Sequence, residues 1–111
     1  NELATAIQYG GAPKLIISDN KMYGTIGMHH EVRYPGRPYK EATRLTNPDF
    51  AMWARSFGAD GYMVRAADEL GPALQVALSG GRPAVIQIPM ENAPTPTPGH
   101  WDINDIYRRG E

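Results

Sequence analysis

The sequence predicts an α/β fold, a parallel sheet flanked by helices in three layers. Short apolar runs at Leu15 to Ser18, Tyr62 to Val64 and Ala84 to Ile88 alternate with segments of helical period. Strand, helix, strand, helix, strand with short links is the pattern of right-handed βαβ units on a parallel sheet. Leu15 to Ser18 holds four consecutive apolar or small residues, which suits a strand buried on both faces under such helices.

In chain order, Glu2 to Tyr9 carries Leu3, Ala6 and Ile7 at helical spacing, and Gly10-Gly11 supplies the stop. Glu2 reads as a first-turn acid favoured by the helix dipole rather than as a catalytic carboxylate. The first strand follows at Leu15 and runs into an Asx-led turn. Met28 to Thr46 has two prolines, several charges and no clear period, and is expected to be a long loop. His29-His30 gives no metal site, because adjacent residues diverge in direction and no third ligand is spaced nearby. Asn47-Pro48-Asp49-Phe50 reads as a helix start with Asn47 as the cap and Pro48 at the first helical position. Phe50, Trp53, Ala54 and Phe57 then form one face, core packing rather than a cofactor box, and Gly58 ends the helix. A second strand at Tyr62 to Val64 precedes a helix from about Asp68, with Leu70, Ala73, Leu74, Ala77 and Leu78 on its buried face. Pro72 should lie near its first turn, where proline is tolerated. Ala84 to Ile88 is the third strand.

Residues 1–90 are thus expected to form the globular part and 91–111 a Pro-rich tail. In that tail Pro94, Pro96 and Pro98 favour extended backbone, and Asp102 to Arg109 has Ile103, Ile106 and Tyr107 on one helical face. The tail is expected to dock on a neighbouring domain or subunit, or else to be disordered. The first residue is Asn1 and a helical pattern is already under way at Glu2, so the chain is expected to be a fragment.

Composition excludes several roles. Eleven Lys plus Arg against twelve Asp plus Glu, with no basic run, offer no surface for nucleic acid. No apolar run approaches the roughly 20 residues needed to span a bilayer. With no cysteine there is no disulfide framework, thiolate zinc site or thiol nucleophile, and a cytoplasmic setting is expected.

The stretch Lys14 to Ile26 is the candidate ligand site. Open α/β sheets bind ligands at the carboxyl ends of their strands. Asn20 there offers a neutral oxygen to a hard cation, and a helix opening near Gly24 would aim free N–H groups at a phosphate. The competing reading makes Asp19 and Asn20 simple turn formers bonded to the local backbone.

Asp19-Asn20-Lys21-Met22-Tyr23-Gly24-Thr25-Ile26 tips that balance. Together with Asn1-Glu2-Leu3-Ala4-Thr5-Ala6, Tyr34-Pro35-Gly36-Arg37 and Leu45-Thr46-Asn47-Pro48-Asp49-Phe50, it resembles the thiamine-diphosphate-dependent enzymes of the acetolactate synthase and 2-oxo-acid decarboxylase superfamily. The resemblance runs from Asn1 to about Pro89. It implies a partial thiamine-diphosphate-binding fold, and thiamine diphosphate and Mg²⁺ as cofactors. The family's cofactor motif opens with Gly-Asp-Gly and closes with Asn-Asn. Only the closing half has a counterpart here, as Asp19-Asn20.

By the resemblance, the Asn20 side-chain oxygen and the Met22 carbonyl are metal ligands, and the Asp of Gly-Asp-Gly would be a third. Tyr23, Gly24, Thr25 and Ile26 are cofactor-binding, the first three through backbone N–H groups or a hydroxyl at the diphosphate. Ile26 and Met28 match positions near the thiazolium ring or substrate pocket, with core packing as the alternative. The Glu that activates the cofactor belongs to an N-terminal domain in this family, so the chain alone should be inactive. The resemblance also implies partners: a 2-oxo-acid substrate, the N-terminal domains of the same enzyme, and a homo-oligomer, dimer or tetramer. The other function class is a stand-alone or degenerate α/β binding module. A nucleotide-binding domain is set aside, since neither Gly-x-Gly-x-x-Gly nor a Walker loop occurs.

Overall fold

The computed structural model describes residues 2–38 and 40–91. The expected extended backbone of the tail and the helix at Asp102 to Arg109 lie outside them. Eight elements follow in order: α1 (Glu2–Gln8), β1 (Lys14–Asp19), α2 (Gly24–Arg33), α3 (Lys40–Thr43), α4 (Phe50–Ser56), β2 (Asp60–Met63), α5 (Ala67–Ser79) and β3 (Ala84–Pro89). The three strands form one parallel sheet in the order β1-β3-β2. Lys14 and Asp60 both stand opposite Ala84, so the two outer strands start level on the central one.

β3 is the strand buried on both faces, and its alternation divides the core in two. Val85 packs with Leu3, Ala54 and Ala59 under α1 and α4, joined by Ile7, Ile17, Phe50 and Phe57. Ala84 and Ile86 face the other way, with Val64, Ala77, Leu70, Ala73 and Leu74 under α5. Helices on both faces of a parallel sheet make the three layers expected from the sequence.

Several expectations need correction. The apolar run at Leu15 to Ser18 is not buried on both faces: Leu15 and Ile16 are 39% and 54% exposed. β1 is an edge of this three-stranded sheet, and a run of apolar residues cannot distinguish an edge from a centre. The segment after Met28 is not a loop throughout. α2 continues to Arg33 and α3 adds one turn at Lys40–Thr43, because nothing before Pro35 breaks a helix.

Asn47 is not the cap of α4. The helix starts at Phe50, and Asp49, with extended backbone, takes the Met52 N–H on its carboxylate at 2.7 Å. α5 begins at Ala67, which puts Pro72 at the sixth helical residue rather than in the first turn. Proline there costs one backbone hydrogen bond, while the start is held by Glu69, whose carboxylate accepts the Arg65 N–H at 2.8 Å. Leu78 is exposed, so the buried face of α5 ends at Ala77. Leu78 therefore follows the helix round to the solvent side.

Gly58 closes α4 as expected, at φ 85°, a left-handed value that glycine adopts without steric cost. Lys14 ties the amino end of β1 to the end of α5, its ammonium donating to the Gly80 carbonyl at 2.9 Å. Among the described residues, no helix is long and apolar enough to cross a membrane.

Candidate functional site

At the carboxyl end of β1 the chain makes two successive Asx turns. The Asp19 carboxylate accepts the Lys21 N–H at 3.2 Å, and the Asn20 side-chain oxygen accepts the Met22 N–H at 3.2 Å. Between them Lys21 has φ 54°, a left-handed value uncommon in residues other than glycine. The turn is clamped from the side by the segment after α3: Tyr23 donates to the Thr43 carbonyl and Leu45 donates to the Lys21 carbonyl, both at 2.8 Å. Met22 and Arg44 form the antiparallel bridge between those bonds. The turn-forming geometry expected of Asp19 and Asn20 is therefore present, and it sets the conformation of the proposed ligands.

α2 starts immediately after. Its first internal hydrogen bond runs from the Gly27 N–H to the Tyr23 carbonyl at 3.0 Å, so the N–H groups of Gly24, Thr25 and Ile26 have no partner within the helix. Tyr23 at the cap position makes no side-chain capping bond, and no acid stands in the first turn. The positive end of the helix dipole is thus uncompensated by its own side chains, the condition that favours a bound anion. Gly24 lies against the ligand turn. A Cβ on it would stand 2.9 Å from the Asn20 Nδ2, so the glycine keeps that carboxamide in place.

The structure thus joins Asn20, Met22, Tyr23, Gly24, Thr25 and Ile26 in one turn and one helix start. Asn20, Met22 and Gly24 are half-buried, while Tyr23, Thr25 and Ile26 are exposed. Ile26 and Met28 are 54% and 52% exposed, which overturns the core-packing alternative for both. His29 and His30 lie half-buried in α2; the His30 ring meets that of Tyr34 at 5.4 Å and a tilt of 51°, and the Arg37 guanidinium lies 5.5 Å from the Tyr34 ring centre.

The donor set fits a hard cation held beside a diphosphate. A carboxamide oxygen and a backbone carbonyl are ligands that Mg²⁺ accepts in small number, with phosphate oxygens and water filling the rest of its octahedron. Among the described residues, no three His, Cys, Asp or Glu side chains gather into a metal site. The residues present therefore suit a metal that arrives with its phosphate ligands.

One set of residues was missed in reading the sequence. Asp19 and Gln87 are both buried, and they bond to each other: the Gln87 Nε2 donates to Asp19 Oδ2 at 2.9 Å. Asn47, expected as a helix cap, instead donates its Nδ2 to Asp19 Oδ1 at 2.7 Å. Burial pushes the Asp19 carboxyl up, but the donors Asn47, Gln87 and the Lys21 N–H, with the Lys21 charge, outweigh it and hold the group below the usual carboxylate range. The available signal was Gln87 itself, one polar residue within the apolar run Ala84 to Ile88. A buried polar side chain must find hydrogen-bond partners.

The chain is also similar to known proteins. A Bacillus subtilis (strain 168) protein described as thiamine pyrophosphate-containing, YdaP, is 35% identical over 98 residues, which cover 88% of this chain and 16% of that protein. The acetolactate synthase large subunit of Haemophilus influenzae is 36% identical over 78 residues, 70% of this chain and 13% of the subunit. The chain therefore spans about a sixth or less of the length of these relatives. Among solved structures, a thiamine diphosphate-dependent 4-hydroxybenzoylformate decarboxylase of Rhodococcus jostii RHA1 superposes with a TM-score of 0.72 at 24% identity, over 84% of this chain and 17% of the other, a likeness of fold. Residues 1–88 match the profile of the thiamine pyrophosphate enzyme C-terminal TPP binding domain. With its parallel sheet flanked by helices and that match over most of its length, the chain belongs to the thiamine pyrophosphate enzyme family, as a C-terminal TPP binding domain.

Proposed function

We propose that this chain is the diphosphate- and Mg²⁺-binding part of an acetolactate-synthase-like enzyme that decarboxylates 2-oxo acids or transfers the resulting unit to a second carbonyl. The observation that carries the reading is the uncapped start of α2 at Gly24 to Ile26, set directly behind the Asn20–Met22 turn. Thiamine diphosphate, when bound, supplies the carbanion-stabilising chemistry that loss of CO₂ from a 2-oxo acid requires.

The chain's own residues do the anchoring. Asn20 presents its side-chain oxygen and Met22 its carbonyl to Mg²⁺. The Asn20 oxygen already accepts the Met22 N–H, so both ligand residues are fixed relative to each other before a metal arrives. The Tyr23 N–H, expected at the diphosphate, is instead given to the Thr43 carbonyl, so the N–H groups of Gly24, Thr25 and Ile26 donate to the diphosphate, where the helix dipole favours negative charge. Tyr23 and Ile26, both exposed, remain available to pack against the cofactor or substrate. In this reading residues 1–90 complete their site with an upstream Gly-Asp-Gly segment, whose Asp is a third metal ligand, and with an N-terminal domain that supplies the activating Glu. The working assembly is a cytoplasmic homo-oligomer, dimer or tetramer.

The test is calorimetry on the full-length protein after chelation with EDTA. Thiamine diphosphate is expected to bind only when Mg²⁺ is restored, and a panel of 2-oxo acids should then release CO₂. Cofactor binding without turnover of any 2-oxo acid would favour a binding module. Absence of cofactor binding with Mg²⁺ present would sink the proposal.

Gly24→Ala offers a sharper check on geometry. The contact it creates is with the end of a side chain, so the fold can yield cheaply, and alanine is the better helix former. The carboxamide that yields is the proposed ligand. Stability is therefore expected to hold or rise slightly while Mg²⁺ affinity falls, and unchanged Mg²⁺ affinity would argue against the Asn20 assignment.

A further inference from the structure

Gln87 cannot turn its carboxamide round. Its Oε1 accepts two N–H groups from the start of α4, Phe50 at 2.8 Å and Ala51 at 3.3 Å. Reversed, the amide would set its NH₂ against those donors. Its Nε2 therefore points at Asp19, and among the described residues the Asp19 carboxylate is met only by donors: Gln87 Nε2 on one oxygen, Asn47 Nδ2 and the Lys21 N–H on the other. Asp19 and Gln87 are each 3% exposed, so water does not substitute for the bond between them. An ionised carboxylate, acceptor on both oxygens, satisfies every donor. A carboxamide at position 19 would leave one donor facing another.

The bonds form a directed chain from α4 through the centre of β3 to the turn after β1. That turn carries both proposed metal ligands, and the Asp19 end of the chain holds the N–H of Lys21, its left-handed residue. We infer that Asp19, Gln87 and Asn47 are positioning residues: a buried brace that sets the Asn20–Met22 turn in its ligand-ready shape, and whose bond direction makes an acceptor at position 19 and a donor at position 87 interdependent. The inference deepens the proposed function and rests on it for the identity of the ligand. The brace itself rests on the hydrogen bonds above.

The test is a reciprocal exchange in the full-length protein: Asp19→Asn, Gln87→Glu, and the two together. Gln87→Glu alone places one carboxylate against another, and Asp19→Asn alone places an amide NH₂ against a donor. In the double exchange the carboxamide at position 19 donates to the carboxylate at position 87, while that carboxylate still accepts from Phe50 and Ala51 and the Asn47 bond is kept. Two quantities are read: amide exchange of the 19–25 segment without cofactor, and Mg²⁺–thiamine diphosphate affinity by calorimetry. Exchange across α5, which the brace does not touch, controls for misfolding.

Each single variant is expected to exchange faster in that segment and to bind about 10- to 100-fold more weakly, the usual effect of removing a partner behind a metal ligand. The double variant is expected to recover both, with affinity within about threefold of the natural pair, since side chains in one network couple. Losses that simply add in the double variant overturn the brace. Single variants that loosen the segment yet bind normally overturn its positioning role. If the natural protein binds no Mg²⁺–thiamine diphosphate, the proposed function fails, and the brace stands or falls on whether the double variant restores slow exchange.

Discussion

Gly61→Ala is expected to destabilise the protein by about 3 kcal/mol, the upper end of what overpacking a core costs. Gly61 lies in β2 where the backbone of α4 crosses it. A Cβ there would stand 2.0 Å from the Ala51 carbonyl oxygen and 2.8 Å from its carbon. These are backbone atoms, so no rotamer change relieves the contact and α4 must move off the sheet. Ala51 and Ala54, fully buried at that crossing, show that the helix is already as close as small side chains allow. Moving α4 also disturbs the Phe50 and Ala51 N–H groups that Gln87 holds, so the damage should reach the cofactor site.

The control is Gly71→Ala. Gly71 is inside α5, and a Cβ on it would meet no atom of another element within 4 Å. Alanine there gains about 0.5–1 kcal/mol of helix propensity but sets its Cβ against the ring of Pro72, so the melting temperature should stay close to the natural one. Thermal unfolding of the two variants beside the natural protein decides the matter. A Gly61→Ala protein that melts with the natural one would mean that α4 and β2 are not packed as described.

Asn20→Ala is expected to weaken Mg²⁺–thiamine diphosphate binding by about 1–3 kcal/mol, the cost of leaving a charged group without its polar partner. By the same change the Met22 N–H loses its acceptor, so the second ligand residue loosens together with the first. Asn20→Asp separates the two effects. It keeps an oxygen for the metal and for the Met22 N–H and adds a charge that Mg²⁺ tolerates, so most of the affinity should return. Calorimetric titration of the EDTA-treated proteins measures both. Cofactor affinity unchanged in Asn20→Ala would remove Asn20 from the ligand set, whatever the behaviour of the aspartate variant.

The layered fold was legible because its signals are local. Apolar runs of strand length, Gly58 and Gly10 at helix ends, and the spacing of Leu3, Ala6 and Ile7 each act within a few residues. The Asx turn was legible for the same reason: Asp19 and Asn20 accept N–H groups two residues on, and the start of α2 at Gly24 follows directly. Errors arose where distant segments compete for one side chain. Asn47 is a good helix cap by composition, yet it lies 28 positions from Asp19 and bonds to it, so Asp49 takes the cap.

What the sequence determined by itself was therefore the order of the three strands and of the helices α1, α4 and α5, the sheet's parallel character and the Asx turn after β1. Tertiary structure alone decided that β3 rather than β1 is the central strand, because pairing order depends on contacts some 70 residues apart rather than on the apolarity of either run. It also decided that Asp19, which reads as a turn former, is a buried carboxylate. Its partner Gln87 lies 68 positions away, and a carboxylate can be kept from water only where folding brings enough donors to it.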